Sequence, residues 1–69
     1  MYSVIQFMNG AFTVKFESNN LDSIKYNYFN WLAALYNDTG AVKGVVKLVD
    51  ENLDVVDGCV EFIDKAAKS

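Results

Sequence analysis

The sequence predicts an α+β fold of order β-β-α-β-β, with one helix packed on one face of a four-stranded, mostly antiparallel sheet. Three observations carry this. Asn9-Gly10 sits between two runs of β-forming residues that alternate at period two. The period changes to 3.6 from Leu21 to Asn37. Alternation then returns in two runs, Val42 to Asp50 and Asp54 to Ile63. With 69 residues, 52% hydrophobic and without proline, the chain can form one domain over 1–69 around one small core.

In the first hairpin, Asn9-Gly10 suits a type I′ turn, which needs positive φ at both central residues. The register that follows sets Met8 opposite Ala11, Phe7 opposite Phe12 and Ile5 opposite Val14. One face then carries Ile5, Phe7, Phe12, Val14 and Phe16, the natural candidate for the buried side. The other carries Tyr2, Val4, Gln6, Met8, Thr13, Lys15 and Glu17.

Ser18-Asn19-Asn20 supplies capping side chains, and the helix follows. Leu21, Ile24, Tyr28, Leu32 and Leu35 form its apolar stripe, flanked by Trp31 on one side and by Phe29 and Tyr36 on the other. Gly40 is placed to end the helix in a left-handed conformation.

In the second hairpin, pairing Asp50 with Asp54 across Glu51-Asn52-Leu53 sets Leu48 against Val56, Val46 against Gly58 and Val42 against Phe62. The opposite face brings Lys47 against Asp57, Lys43 against Glu61, Val45 against Cys59 and Val49 against Val55. Residues 64–69 read as a frayed tail.

Composition narrows the function classes. Six lysines against nine acids give a net charge of −3, the wrong sign for a phosphate-binding surface, so no nucleic-acid partner is expected. With no histidine, the usual general base of Ser and Cys hydrolases is missing, and one cysteine is too few for a zinc site. No catalytic residue, cofactor or metal ligand is therefore expected, and the chain reads as a non-enzyme. The lone Cys59 suits a reducing compartment, residues 1–8 lack the pattern of a signal peptide, and the longest apolar run, Trp31 to Tyr36, is far too short to span a bilayer. A cytoplasmic protein with no membrane partner follows as the expectation.

Three local patterns have chemical precedents. Asp50, Asn52, Asp54 and Glu61 fall at liganding positions 1, 3, 5 and 12 of an EF-hand loop, but Val55 occupies the glycine position and the flanks read as strands. Asp38-Thr39-Gly40-Ala41 matches the active-site tetrapeptide of dimeric aspartic proteases, yet it follows a helix and reads as an ordinary helix exit. The aromatic run from Tyr26 to Trp31 lacks the interleaved basic residues of a base-stacking platform, so core packing explains it better.

Two surfaces are left as candidates. The face opposite the helix would expose Tyr2, Val4, Met8, Val45, Val49, Val55 and Cys59, an interaction surface for a protein partner or for a second copy in a homodimer unless Lys and Glu stems cover it. Six of the nine acids, Asp50, Glu51, Asp54, Asp57, Glu61 and Asp64, could form an acidic edge that occupies a basic groove on a host protein, as an inhibitor or nucleic-acid mimic, or that holds a divalent cation weakly. The leading expectation is a non-enzymatic protein-interaction module.

A chain that opens Met1-Tyr2-Ser3-Val4-Ile5-Gln6, turns at Asn9-Gly10, carries one aromatic helix and closes with Leu48-Val49-Asp50-Glu51-Asn52-Leu53-Asp54-Val55-Val56 resembles small uncharacterised ββαββ proteins of bacteriophages and prophages. The resemblance implies an accessory or host-directed role and assigns no functional residue.

Overall fold

The computed structural model describes residues 1–67. Its elements are β1 (Tyr2–Met8), β2 (Ala11–Ser18), α1 (Leu21–Asn37), β3 (Val42–Val49) and β4 (Val55–Lys65), as the sequence predicts in kind and order. The four strands form one antiparallel sheet in the order β2-β1-β3-β4, which the sequence left open. The helix joins edge strand β2 to β3, leaving β1 between them.

The first turn forms as expected, with Asn9 at φ 50° and Gly10 at φ 85°. Asn9 also ties the turn to β3: its N–H donates to the Lys43 carbonyl at 2.9 Å and its Oδ1 accepts from the Lys43 N–H at 3.3 Å. At the helix start, Asn20 Oδ1 accepts from the Ser23 N–H at 3.0 Å. The helix exit differs from expectation, because Gly40 does not adopt a left-handed conformation. Instead Asp38 is extended, at φ −67° and ψ 144°, and its N–H donates to the carbonyls of Ala34 and Leu35. Its Oδ1 accepts from the Gly40 N–H at 3.1 Å, an Asx turn that removes the need for positive φ.

The main correction concerns which side of the first hairpin is buried. Its register is as predicted, with Phe7 opposite Phe12 and Ile5 opposite Val14, but α1 covers the other face. Val4 is fully buried and Met8 nearly so, whereas Phe7 is 51% and Phe12 62% exposed. The pairing of β1 with β3 explains this. Val4 stands opposite Leu48 and Gln6 opposite Val46, while Ile5 stands opposite Lys47. Burying the face of Ile5 and Phe7 would bury the Lys47 ammonium beside them, a large desolvation cost that the fold avoids. Phe16 alone of the five expected core residues on this hairpin turns toward the helix, because a bulge at Lys15 inverts the alternation and sets Phe16 opposite Val4. Phe16 then packs edge-on against Trp31, and the Lys15 ammonium lies 4.4 Å over the same indole.

The second hairpin begins in the predicted register. The Asp50 N–H donates to the Asp54 carbonyl, Asp50 Oδ1 accepts from the Asn52 and Asp54 N–H groups, and Val49 stands opposite Val55. Beyond Val55 the strand bulges, with Asp57 and Gly58 both left-handed, at φ 51° and 68°. Pairing resumes with Lys47 opposite Val60, Val46 opposite Glu61 and Lys43 opposite Asp64. The shift is three residues, an odd number, so every later side chain changes face. The expected cross-strand pairs of Lys47 with Asp57 and Lys43 with Glu61 do not form. Phe62, expected beside Val42 under the helix, stands opposite Val45 on the open face. β4 runs on to Lys65, so Asp64 and Lys65 belong to a strand and not to the expected tail, while residues 68 and 69 lie outside those described.

The core joins Ile24, Tyr28 and Leu35 of α1 to Val4, Met8, Val42, Val46, Leu48, Cys59 and Ile63 of the sheet. Leu21, Trp31 and Leu32 pack at its margin, whereas Phe29 and Tyr36 stay exposed. No side-chain polar atom is buried without a partner among the described residues.

Candidate interaction surface

The pairing of all four strands places one cross-strand row on the side of the sheet away from the helix. Phe12 is opposite Phe7, Phe7 is opposite Val45, and Val45 is opposite Phe62. The row crosses the full width of the sheet, and its two ends are the most exposed, Phe62 at 77% and Phe12 at 62%. Beside it runs a second row, Val14, Ile5, Lys47 and Val60, followed by Ser3, Val49 and Val55. A shallow depression of about 150 Å³ lies between Ile5, Phe7, Phe12, Val45 and Lys47. The side chains here are largely β-branched or aromatic, which favours extended backbone and leaves a flat, stiff apolar surface.

Of the seven residues expected on this surface, Val45, Val49 and Val55 lie there, Val49 being buried and Val55 exposed. Val4, Met8 and Cys59 are instead in the core, and Tyr2 packs against it. Burial pushes the Cys59 thiol above its ordinary pKa, with Asp57 adding to the shift and Lys25 opposing it, so the thiolate is disfavoured. The residues missed are Ile5, Phe7, Phe12, Val14, Val60 and Phe62. For the first four, the available signal was the pair of lysines four residues apart on one face of β3, Lys43 and Lys47, which marks that strand's solvent face once β1 is known to be its neighbour.

The acidic segment does not form one edge. The carboxylate of Asp50 is engaged in its own turn. Asp57 pairs with Lys25 of α1, and that hydrogen-bonded contact is the main reason the ammonium's pKa is raised. Glu61 Oε2 accepts from the Tyr36 hydroxyl at 2.7 Å, raising the phenol's pKa. Asp64 projects on the open face opposite Lys43, and Glu51 and Asp54 are exposed at the turn. Two acids thus face the helix, three cluster at the turn and one lies on the open face. No group of three or more carboxylates, thiols or imidazoles is placed to hold a metal among the described residues, and Asp50 and Glu61 sit on separate paired strands or turns and not in one ligand loop. The Asp38 side chain is likewise occupied by the helix exit.

Charge is balanced on the open face. Lys43 and Lys47 are matched there by Glu17, opposite Ser3, and Asp64, and the excess negative charge lies at the turn and on the helix side. Among the described residues, no helix is long and apolar enough to cross a membrane. No protein-family model, curated protein or solved structure matches this chain.

Proposed function

We propose that this protein is a non-enzymatic interaction module that binds a protein partner through the helix-free face of its sheet. The observation that carries the reading is the row Phe12, Phe7, Val45 and Phe62, which crosses all four strands in register with three of its four members more than half exposed. Single exposed apolar residues are ordinary, but a contiguous aromatic patch with a charged rim is a typical interaction surface. An accessory role, as the likeness to small bacteriophage proteins implies, is part of the same proposal.

The acidic-edge alternative has less support, since Asp50, Asp57 and Glu61 are engaged within the fold and the segment is split between two faces. The two readings respond differently to salt. Binding through the aromatic row should persist from about 0.1 M to about 1 M salt and be lost in Phe62→Lys, whereas binding through the turn carboxylates should weaken steeply with salt. Affinity for the purified partner, measured at both salt concentrations with wild type and Phe62→Lys, tests it; salt-sensitive binding indifferent to Phe62 would reject the proposal.

A further inference from the structure

The outer edge of β4 is a preformed strand without a neighbour, and we infer that it pairs with β4 of a second copy, antiparallel, in one continuous eight-stranded sheet. This contact uses the edge of the sheet and leaves the open face free for the partner proposed above.

The Asn9 N–H donates to the Lys43 carbonyl and the Lys43 N–H donates to Asn9 Oδ1, so both backbone groups of Lys43 point toward β1. Alternation along β3 then turns those of Gly44 and Val46 toward β4, where they meet Ile63 and Glu61. Val60, Phe62 and Asp64 therefore direct their N–H and C=O groups outward, away from the sheet. The devices that usually protect such an edge are missing from this one. Beyond the left-handed Asp57-Gly58 pair the strand is regular from Cys59 to Lys65 and contains no proline. Glu61 is held by the Tyr36 hydroxyl, and the Lys65 ammonium donates to the carbonyls of Asp38 and Gly40 at 2.6 Å each. Both charges are thus turned back onto their own chain instead of meeting an incoming strand. α1 packs over β1, β2 and β3 and is set back from β4. The opposite edge differs, because the Lys15 bulge ends the first regular stretch of β2 at Val14.

The regular span from Cys59 to Lys65 is centred on Phe62, whose own backbone groups point outward. A twofold axis beside Phe62, perpendicular to the sheet, pairs the whole span, with Phe62 opposite Phe62 and Val60 opposite Asp64 in both directions. Each of these pairs exchanges two backbone bonds, which satisfies every outward group, and no two like charges are opposed. An axis at Glu61 would set that carboxylate against its own copy, and one at Ile63 would carry Val60 past the end of β4. Pairing β4 with β2 of another copy would reach only from Ala11 to Val14 before the bulge and would propagate without closing. A flexible segment of another protein would have to be ordered to fit, whereas a second β4 is already extended and held by its own β3. In this arrangement both helices fall on one side of the sheet, and Lys47 stays in water on the other. The aromatic row doubles, running from Phe12 to Phe62 and on through the second copy to its Phe12.

The joined strip is narrow, at the low end of interface sizes, so the expected dimer dissociation constant is on the order of 100 μM. Sedimentation of the full chain from about 10 μM to about 1 mM tests it, together with amide hydrogen exchange read by NMR. Between about 50 μM and about 1 mM, exchange at Val60, Phe62 and Asp64 should slow about threefold, while Glu61 and Ile63, bonded to β3, are protected at both concentrations. Val60→Pro removes an outward N–H and no bond to β3, so the monomer should keep its fold and the dissociation constant should rise about tenfold or more. Asp64→Pro carries the same test if Val60→Pro fails to give the wild-type far-UV spectrum. Phe62→Cys should oxidise to a cross-linked dimer, its Cα about 5.5 Å from its mate, whereas Val60→Cys, about 14 Å from its mate, should not. Cys59 is buried and stays out of this reaction. A wild type that is monomeric throughout, with fast exchange at Val60, Phe62 and Asp64, overturns the pairing, as does a dimer that both proline variants leave intact. Cross-linking of Val60→Cys in place of Phe62→Cys overturns the register. The open-face reading survives each of these results, since its own test is the loss of partner binding in Phe62→Lys.

Discussion

The indole N–H of Trp31 donates to Gln6 Oε1 at 2.8 Å across 25 positions of sequence. This bond joins α1 to β1 and marks which face of β1 the helix covers. Gln6 shares a face with Val4 and Met8, so an amide that alternation alone leaves on the solvent side is a buried-edge partner of the largest side chain in the protein.

Gln6→Leu is therefore expected to destabilise the fold by about 1–2 kcal/mol, since it leaves the partly buried indole N–H without an acceptor. Urea unfolding followed by Trp31 fluorescence measures both the stability and the change in the indole's surroundings. An unchanged midpoint would mean that water replaces the amide at no cost.

The buried face of the first hairpin is open to direct test. Val4→Ala should cost about 2 kcal/mol, because Val4 is fully buried between sheet and helix. Phe12→Ala, which removes a much larger but 62% exposed side chain, should cost less than about 1 kcal/mol. Thermal or urea unfolding at low protein concentration gives the comparison free of association; the opposite ranking would restore the face that the hairpin pattern alone favours.

Two glycines should behave in opposite ways. A Cβ at Gly44 would run into the Phe7 carbonyl and lie 2.9 Å from Met8 Cα, so Gly44→Ala forces β1 and β3 apart and should cost about 3 kcal/mol or prevent folding. At Gly40 the nearest atom is 3.7 Å away and φ is not positive, so Gly40→Ala should be neutral or stabilising by about 0.5 kcal/mol. Circular dichroism melts of the two variants decide between this helix exit and a left-handed one.

Tyr28 gives the fold an alkaline limit. Its phenol is pushed up to about 12, first by desolvation and then by the charges of Cys59, Glu61 and Tyr36. The folded state thus holds this proton more tightly than the unfolded chain, whose phenol titrates near 10. The contribution is complete below about pH 10 and is lost as pH rises toward 12, amounting to about 1–3 kcal/mol. Tyr28→Phe should flatten the slope of unfolding free energy between those limits. Tyr36 and Cys59 shift in the same direction, so a smaller slope should survive the substitution.

The sequence by itself determined the elements, the two turns and the helix stripe, because each depends on residues close together in the chain. Asn9-Gly10 selects its turn through backbone preference, Asn20 caps α1 three residues away, and Asp50 closes the second turn through bonds spanning four residues. Alternation also showed which side chains share a face within each strand up to the first bulge. Only the tertiary structure decided which face is buried. That choice depends on β1 lying beside β3, where Lys47 stands next to Ile5, and on bulges at Lys15 and Asp57-Gly58 that invert the faces beyond them. Period-two patterning has two equivalent solutions for a strand with apolar groups on both sides, and burial of a lysine in one of them is visible only when the neighbouring strand is known. The aromatic row of Phe12, Phe7, Val45 and Phe62 belongs to that second kind of information, since its members come from four strands and meet only through the sheet.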